Sequence, residues 1–237
     1  MSSQQAAAIR RHPASIGMDS HARRFTARGR ATRYTHTETL VGFRMRLFAI
    51  CALLAATASA EGITIVLDFD GPHSEQTVAA MKREFEGIVK DATITVDWRT
   101  RKEAEREALA NLVVVRFKGK CMLDPVPYLY DERGPLAFTY STSGVVQPFG
   151  EVACDKVATV VRSAMFGGDY GKADQLFGRA LGRVLAHEVV HMLTGSGEHG
   201  PSGVERRSLS GNQLIAPELR LAPEDLDRLM NAPHQLN

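Results

Sequence analysis

Residues 61–237 predict one α/β (α+β) domain, a mixed sheet with an antiparallel edge strand packed on one long helix. Three observations carry this. Between residues 63 and 117, short β-branched runs alternate with amphipathic helical stretches, the pattern of a largely parallel sheet. Residues 136–152 then read as two strands about Gly144, a hairpin at the sheet edge. The longest helical stretch, 172–193, follows them and stops at Gly195.

The elements follow in order. Residues 63–69 are rich in Ile and Val and end at Asp70-Gly71-Pro72, a strand closed by a turn. Ser74 can cap a helix over 75–90, with Val78, Met81, Phe85 and Ile88 on one face. Residues 92–98 alternate as a second strand, 101–110 read as a charged helix, and 112–117 form a third strand. Parallel neighbours at this spacing require crossover connections of fixed hand. Residues 121–135, with Pro125, Pro127 and Pro135, are loop-like, and a helix is expected over 156–165. Beyond Gly195 the chain is irregular until Pro223, which suits the first position of a last short helix.

At 44% apolar and 24% charged residues in 237, the chain is neither a collagen-like rod, a coiled coil nor wholly disordered. Its formal charge of +2 is the sum of two unlike parts. Residues 1–60 hold nine arginines and two acids, so residues 61–237 carry 20 basic and 25 acidic residues, a net of −5. Nothing basic in that second part points to nucleic acid. Residues 45–60 have a basic start, an apolar run and an A-x-A end, the marks of a secretory signal peptide. Residues 1–44 are expected to be a disordered or mis-assigned extension, with translation beginning at Met45. The exported domain is then secreted or periplasmic, with no stable membrane span after cleavage. Cys51 would leave with the signal, and Cys121 and Cys154 most often pair in an oxidising compartment; the alternative is two buried free thiols.

The chemistry lies at the end of the long helix, which reads His187-Glu188-Val189-Val190-His191. Residues four apart on a helix differ by about 40° and one turn, so both imidazoles can reach one point. That geometry suits two ligands of a tetrahedral Zn²⁺, one ion per chain. Glu188, rotated by about 100°, can address a water on the metal without occupying a coordination position. This is why H-E-x-x-H on a helix points to metal-assisted hydrolysis. Three of the five histidines of residues 61–237 fall within thirteen residues, and His199 is the expected third ligand. Glu198, Glu205, Glu218 and Glu224 are its rivals.

The helix and its trailing histidine resemble the zincin metallopeptidases, specifically the three-histidine metzincin branch. The resemblance covers 172–205, and the preceding edge strand more weakly. It departs from H-E-x-x-H-x-x-G-x-x-H in having Thr194 at the glycine and Gly197 at the third histidine, and no methionine turn follows. The resemblance implies a zincin-like fold and cleavage of peptide or protein substrates, with His187, His191 and His199 on zinc and Glu188 as base. It also implies an extended substrate along the edge strand near 136–152. Tyr140 and Tyr170 are candidates for the oxyanion stabiliser.

Two other readings stand beside it. One is a non-catalytic secreted domain that binds zinc or a partner. The other is a phosphatase of the haloacid-dehalogenase type, because Asp68-Phe69-Asp70-Gly71 at a strand end matches D-x-D-G, with Asp68 as nucleophile and Asp70 as acid. Gly168-Asp169 and Asp174 would imitate that family's later acidic motif.

Overall fold

Strand β1 (Gly62–Phe69) takes an interior place in the sheet, with Ile63, Ile65 and Leu67 buried on one face and Thr64 and Val66 buried on the other. The computed structural model describes residues 62–123 and 134–232; the expected extension at 1–44, the expected signal peptide at 45–60 and most of the expected loop at 121–135 lie outside them. The five strands are ordered β2-β1-β3-β5-β4, where β2 is Thr95–Thr100, β3 is Leu112–Lys118, β4 is Ala137–Thr142 and β5 is Val145–Ala153. The pairs β1/β2, β1/β3 and β3/β5 are parallel, and β4 runs antiparallel to β5 at the edge. The expected mixed α/β architecture is therefore present, and the hairpin turns at Ser143 and Gly144, both at positive φ.

Helix α1 (Glu75–Val89) starts at Ser74, whose Oγ accepts from the Thr77 amide at 3.4 Å, and it buries Met81, Phe85 and Ile88. A 3-10 turn, Lys90–Ala92, extends it and Thr93 then reverses the chain at φ 56°. The second strand consequently begins at Thr95, three residues later than the alternation predicts. Ala92 is buried with the helix, and strand pairing starts only where Thr95 meets Gly62.

The charged helix expected over 101–110 is cut to α2 (Arg101–Ala104). Thr100 and Glu103 form a capping box, but the helix buries no residue, and without an apolar face a short helix does not propagate. Helix α3 (Cys154–Ala164) begins two residues earlier than predicted, directly at the end of β5. Its first residue is joined by a disulfide to Cys121, with Cα atoms 4.9 Å apart.

Helix α4 (Ala173–Thr194) is the centre of the second layer. It packs on α1 and lies against β5 and β4, and it is buried on nearly all sides from Leu176 onward. Gly178 and Gly182 permit this. A Cβ at Gly182 would stand 2.6 Å from the Met81 carbonyl oxygen, and one at Gly178 would overlap the Thr77 carbonyl. The helix closes where predicted, at Gly195 in the left-handed conformation (φ 62°).

Two short helices complete the fold: α5 (Gly211–Ile215) and α6 (Pro223–Met230). The sequence reading passed over α5, although Ser210 and Gln213 form a capping box at its start. The segment is tied down by Arg183 of α4, which is fully buried. Its guanidinium donates to Glu84 Oε1 at 2.7 Å and to the carbonyls of Gln213 and Ala216. Among the described residues, no helix is long and apolar enough to cross a membrane.

Two substitutions test this packing. Arg183→Met removes the donor from Glu84 Oε1 and from the Gln213 carbonyl, leaving Arg179 on the Ala216 carbonyl, and is expected to cost about 3 kcal/mol or more in urea unfolding. Replacing both Cys121 and Cys154 by Ala opens a loop with a sequence separation of 33. The chain-entropy model predicts a loss of about 3–4 kcal/mol, read as a lower denaturation midpoint.

Candidate metal centre

His187, Glu188 and His191 occupy the face of α4 that looks onto the edge strand β4. A cleft of about 510 Å³ lies there, walled by Leu136, Thr139 and Val146 of the hairpin region and by Val184 and Leu209 opposite. The spacing of four residues does what the helix geometry requires, and the Nε2 atoms of His187 and His191 stand 3.1 Å apart.

The third imidazole comes from the loop that follows. After Gly195 the chain folds back, and the His199 ring reaches 5.2 Å from that of His187 and 4.9 Å from that of His191, centroid to centroid. One nitrogen from each of the three lies within 4.8 Å of the others. The return is fixed by backbone bonds: the Gly200 amide donates to the Glu205 carbonyl at 2.9 Å, and Val204 donates to Arg220 at 3.0 Å.

The same loop sets the tautomers. Nδ1 of His187 lies 2.9 Å from the Val204 carbonyl, and Nδ1 of His191 lies 2.7 Å from the Ser196 carbonyl. A carbonyl can only accept, so each Nδ1 carries the hydrogen and each Nε2 presents a lone pair. Two lone pairs at 3.1 Å repel unless something positive lies between them. Imidazoles bound at 2.0–2.1 Å on a tetrahedral ion have nitrogens about 3.3 Å apart. Burial pushes the basicity of both histidines down, that of His191 to about 4, which keeps them neutral ligands. His199 is also shifted down, by burial and then by Arg207. The donor set therefore fits Zn²⁺.

Glu188 is 5% exposed, and its Oε2 accepts from Thr139 Oγ1 of the edge strand at 2.7 Å. Burial pushes its pKa up to about 7, against the opposing effect of the Thr139 bond. A cation at the histidines would favour the carboxylate form. Thr139 escaped the sequence reading because nothing local marks it; it is one polar residue in a strand and meets Glu188 only through the tertiary fold.

Glu205, a rival for the third ligand, sits behind the site. It is 1% exposed, its oxygens lie 3.7 Å and 3.8 Å from the two Nδ1 atoms, and Oε1 has no hydrogen-bond partner. It therefore faces the side of the imidazoles turned away from their Nε2 lone pairs. Burial and the neighbouring Asp225 push its pKa up to about 9. Glu198, Glu218 and Glu224 do not join the cluster of donor nitrogens.

The two tyrosines do not reach the cleft. Tyr140 alternates with Thr139, points to the opposite face of the sheet and donates to Glu151 at 2.9 Å; Tyr170 lies half-exposed in the 3-10 turn Gly167–Lys172. The acidic residues of the D-x-D-G match have other partners. Asp68 pairs with Arg101 and Arg116, and Asp70 accepts from the Gly119 amide at 2.8 Å. Asp169 accepts from the Phe166 amide, and Asp174 accepts from Thr77 Oγ1. None of these four lines the cleft.

Titration with Zn²⁺ checks the ligand set. The chain is expected to take up one ion. His187→Ala, His191→Ala and His199→Ala are each expected to weaken binding sharply, whereas Glu198→Ala leaves it unchanged. No protein-family model matches the chain, and the search of curated proteins returns no match.

Proposed function

We propose that the protein is a secreted zinc-dependent peptidase, a zincin-like hydrolase of peptide or protein substrates. The observation that carries this is the convergence of three neutral imidazoles beside a buried carboxylate, on a cleft bordered by a sheet edge. Bound at the three histidines, a zinc ion lowers the pKa of a coordinated water towards ~7 and polarises a substrate carbonyl.

The chain's own groups supply the rest. Glu188 takes the proton of the attacking water and passes it to the departing amine, a role that suits a carboxylate whose pKa burial has raised. Thr139 fixes the carboxylate by donating to Oε2. Among the described residues, no strand pairs with the side of β4 away from β5, and an extended peptide would add to the sheet there as a further strand. The low exposure of Glu188 and His191 limits the water that can compete. The apolar run before residue 61 and the Cys121–Cys154 bridge support export to an oxidising compartment.

Two variants test the reading. Glu188→Gln is expected to retain zinc and to lose about 10²–10⁴ in kcat on a peptide mixture. Thr139→Val is expected to retain zinc and lose activity, with Thr139→Ser restoring much of it because the hydroxyl returns. Zinc uptake with no peptide cleavage by the native chain would instead favour a zinc-binding or interaction domain.

A further inference from the structure

Among the described residues, the exposed charge that lines the cleft is a pair of arginines. Arg206 and Arg207 line it beside His199, both exposed. Neither guanidinium has an ion pair or hydrogen bond among the described residues. Arg99, Arg101, Arg116, Arg179, Arg183 and Arg228, by contrast, each hold a carboxylate. Among the described residues, the one acidic side chain that lines the cleft, Glu188, is buried and engaged by Thr139.

The backbone that carries them is tied to the His199 loop: the Gly200 amide donates to the Glu205 carbonyl, and Gly200 bridges to Arg206. Leu136, Val146 and Val184, which also line the cleft, are apolar and offer no competing charge.

Two unpaired guanidiniums over a cleft whose described lining holds no exposed acid attract anions, and their fork geometry matches a carboxylate. We propose that Arg206 and Arg207 form a subsite for a substrate carboxylate, so that the cleft selects peptides with an acidic group next to the bond held at the three histidines. This inference rests on the peptidase reading for the bond-breaking step, but the recognition it describes is a binding property of the cleft. The carboxylate can belong to an Asp or Glu side chain or to a free chain terminus. The surrounding domain is acidic overall, at −5, so the preference is local to this rim and runs against the net charge.

The experiment uses the full, zinc-loaded chain and matched peptides in which one position is Asp, Asn or Lys, each made with an amidated or a free C-terminus. Cleavage is followed by mass spectrometry. Binding is followed by fluorescence anisotropy with the Glu188→Gln chain. The expected result is a preference of about tenfold or more for the Asp peptide over Asn, weakened by salt. The preference should be lost in the double variant Arg206→Ala/Arg207→Ala, kept in Arg206→Lys/Arg207→Lys, and turned towards the Lys peptide in Arg206→Glu/Arg207→Glu. Zinc content checks that each variant is folded. A preference that appears only in free-acid peptides assigns the subsite to the chain terminus; one that persists in amidated peptides assigns it to a side chain. Cleavage that ignores the acidic position, or a preference unchanged in the double alanine variant, overturns the inference and leaves the peptidase reading intact. Arginine-dependent binding of acidic peptides with no cleavage by the native chain overturns the peptidase reading and keeps the subsite. Neither binding nor cleavage overturns both.

Discussion

The close approach of α1 and α4 at Gly178 and Gly182 determines where every group in the cleft stands. Where a Cβ would meet the carbonyls of Thr77 and Met81, the two helices come within backbone contact, and α4 is drawn in until it is buried on nearly all sides. A helix seated so deeply cannot turn about its axis without uncovering Phe177, Leu181 and Leu185, all fully buried. That fixed rotation aims His187, Glu188 and His191 at the edge strand. It also brings Thr139 within 2.7 Å of the Glu188 carboxylate. Arg183 secures the other flank by binding the carbonyls at the end of α5.

The loop after α4 does a second job. It delivers His199, and its backbone also fixes the proton positions of the two helix histidines. The carbonyls of Ser196 and Val204 take the Nδ1 hydrogens, so the Nε2 lone pairs are left facing one another. The Val204 carbonyl is itself held in place, since Val204 is fully buried and its amide bonds to Arg220. Behind this arrangement lie Glu205 and Asp225, both 1% exposed, each with one oxygen lacking a hydrogen-bond partner. The imidazole nitrogens thus face the cleft, and the two buried acids stand behind them.

Local patterns were read well where an element's own side chains decide it. The β-branched run of β1, the Ser74 cap, the Gly195 stop and the Pro223 start all act within a few residues, and all stand as expected. Errors arose where burial decides. The charged stretch at 101–110 has helix-forming residues but nothing to pack, so it ends at Ala104. The start of β2 is delayed because Ala92 is needed in the core and pairing waits for Gly62. Helix α5 was missed because five residues carry no detectable periodicity, although its capping box was there to be read.

The amino-acid sequence by itself determined the chemistry available. It set the H-E-x-x-H spacing on a helix, the trailing histidine, the two cysteines and the alternation that makes a mixed sheet, because each is a matter of residue type and short-range geometry. Only the tertiary structure decided what surrounds that chemistry. It moved Glu205 behind the imidazoles and brought Thr139 onto Glu188. It turned Tyr140 to the far face of the sheet and put Arg206 and Arg207 on the rim of a cleft whose charge the linear sequence does not disclose. Those placements join residues from β4, α4 and the segment after it; Thr139 and Glu188 are 49 positions apart. No local propensity encodes such a meeting; it follows from how deeply one helix is buried and where its loop is made to return.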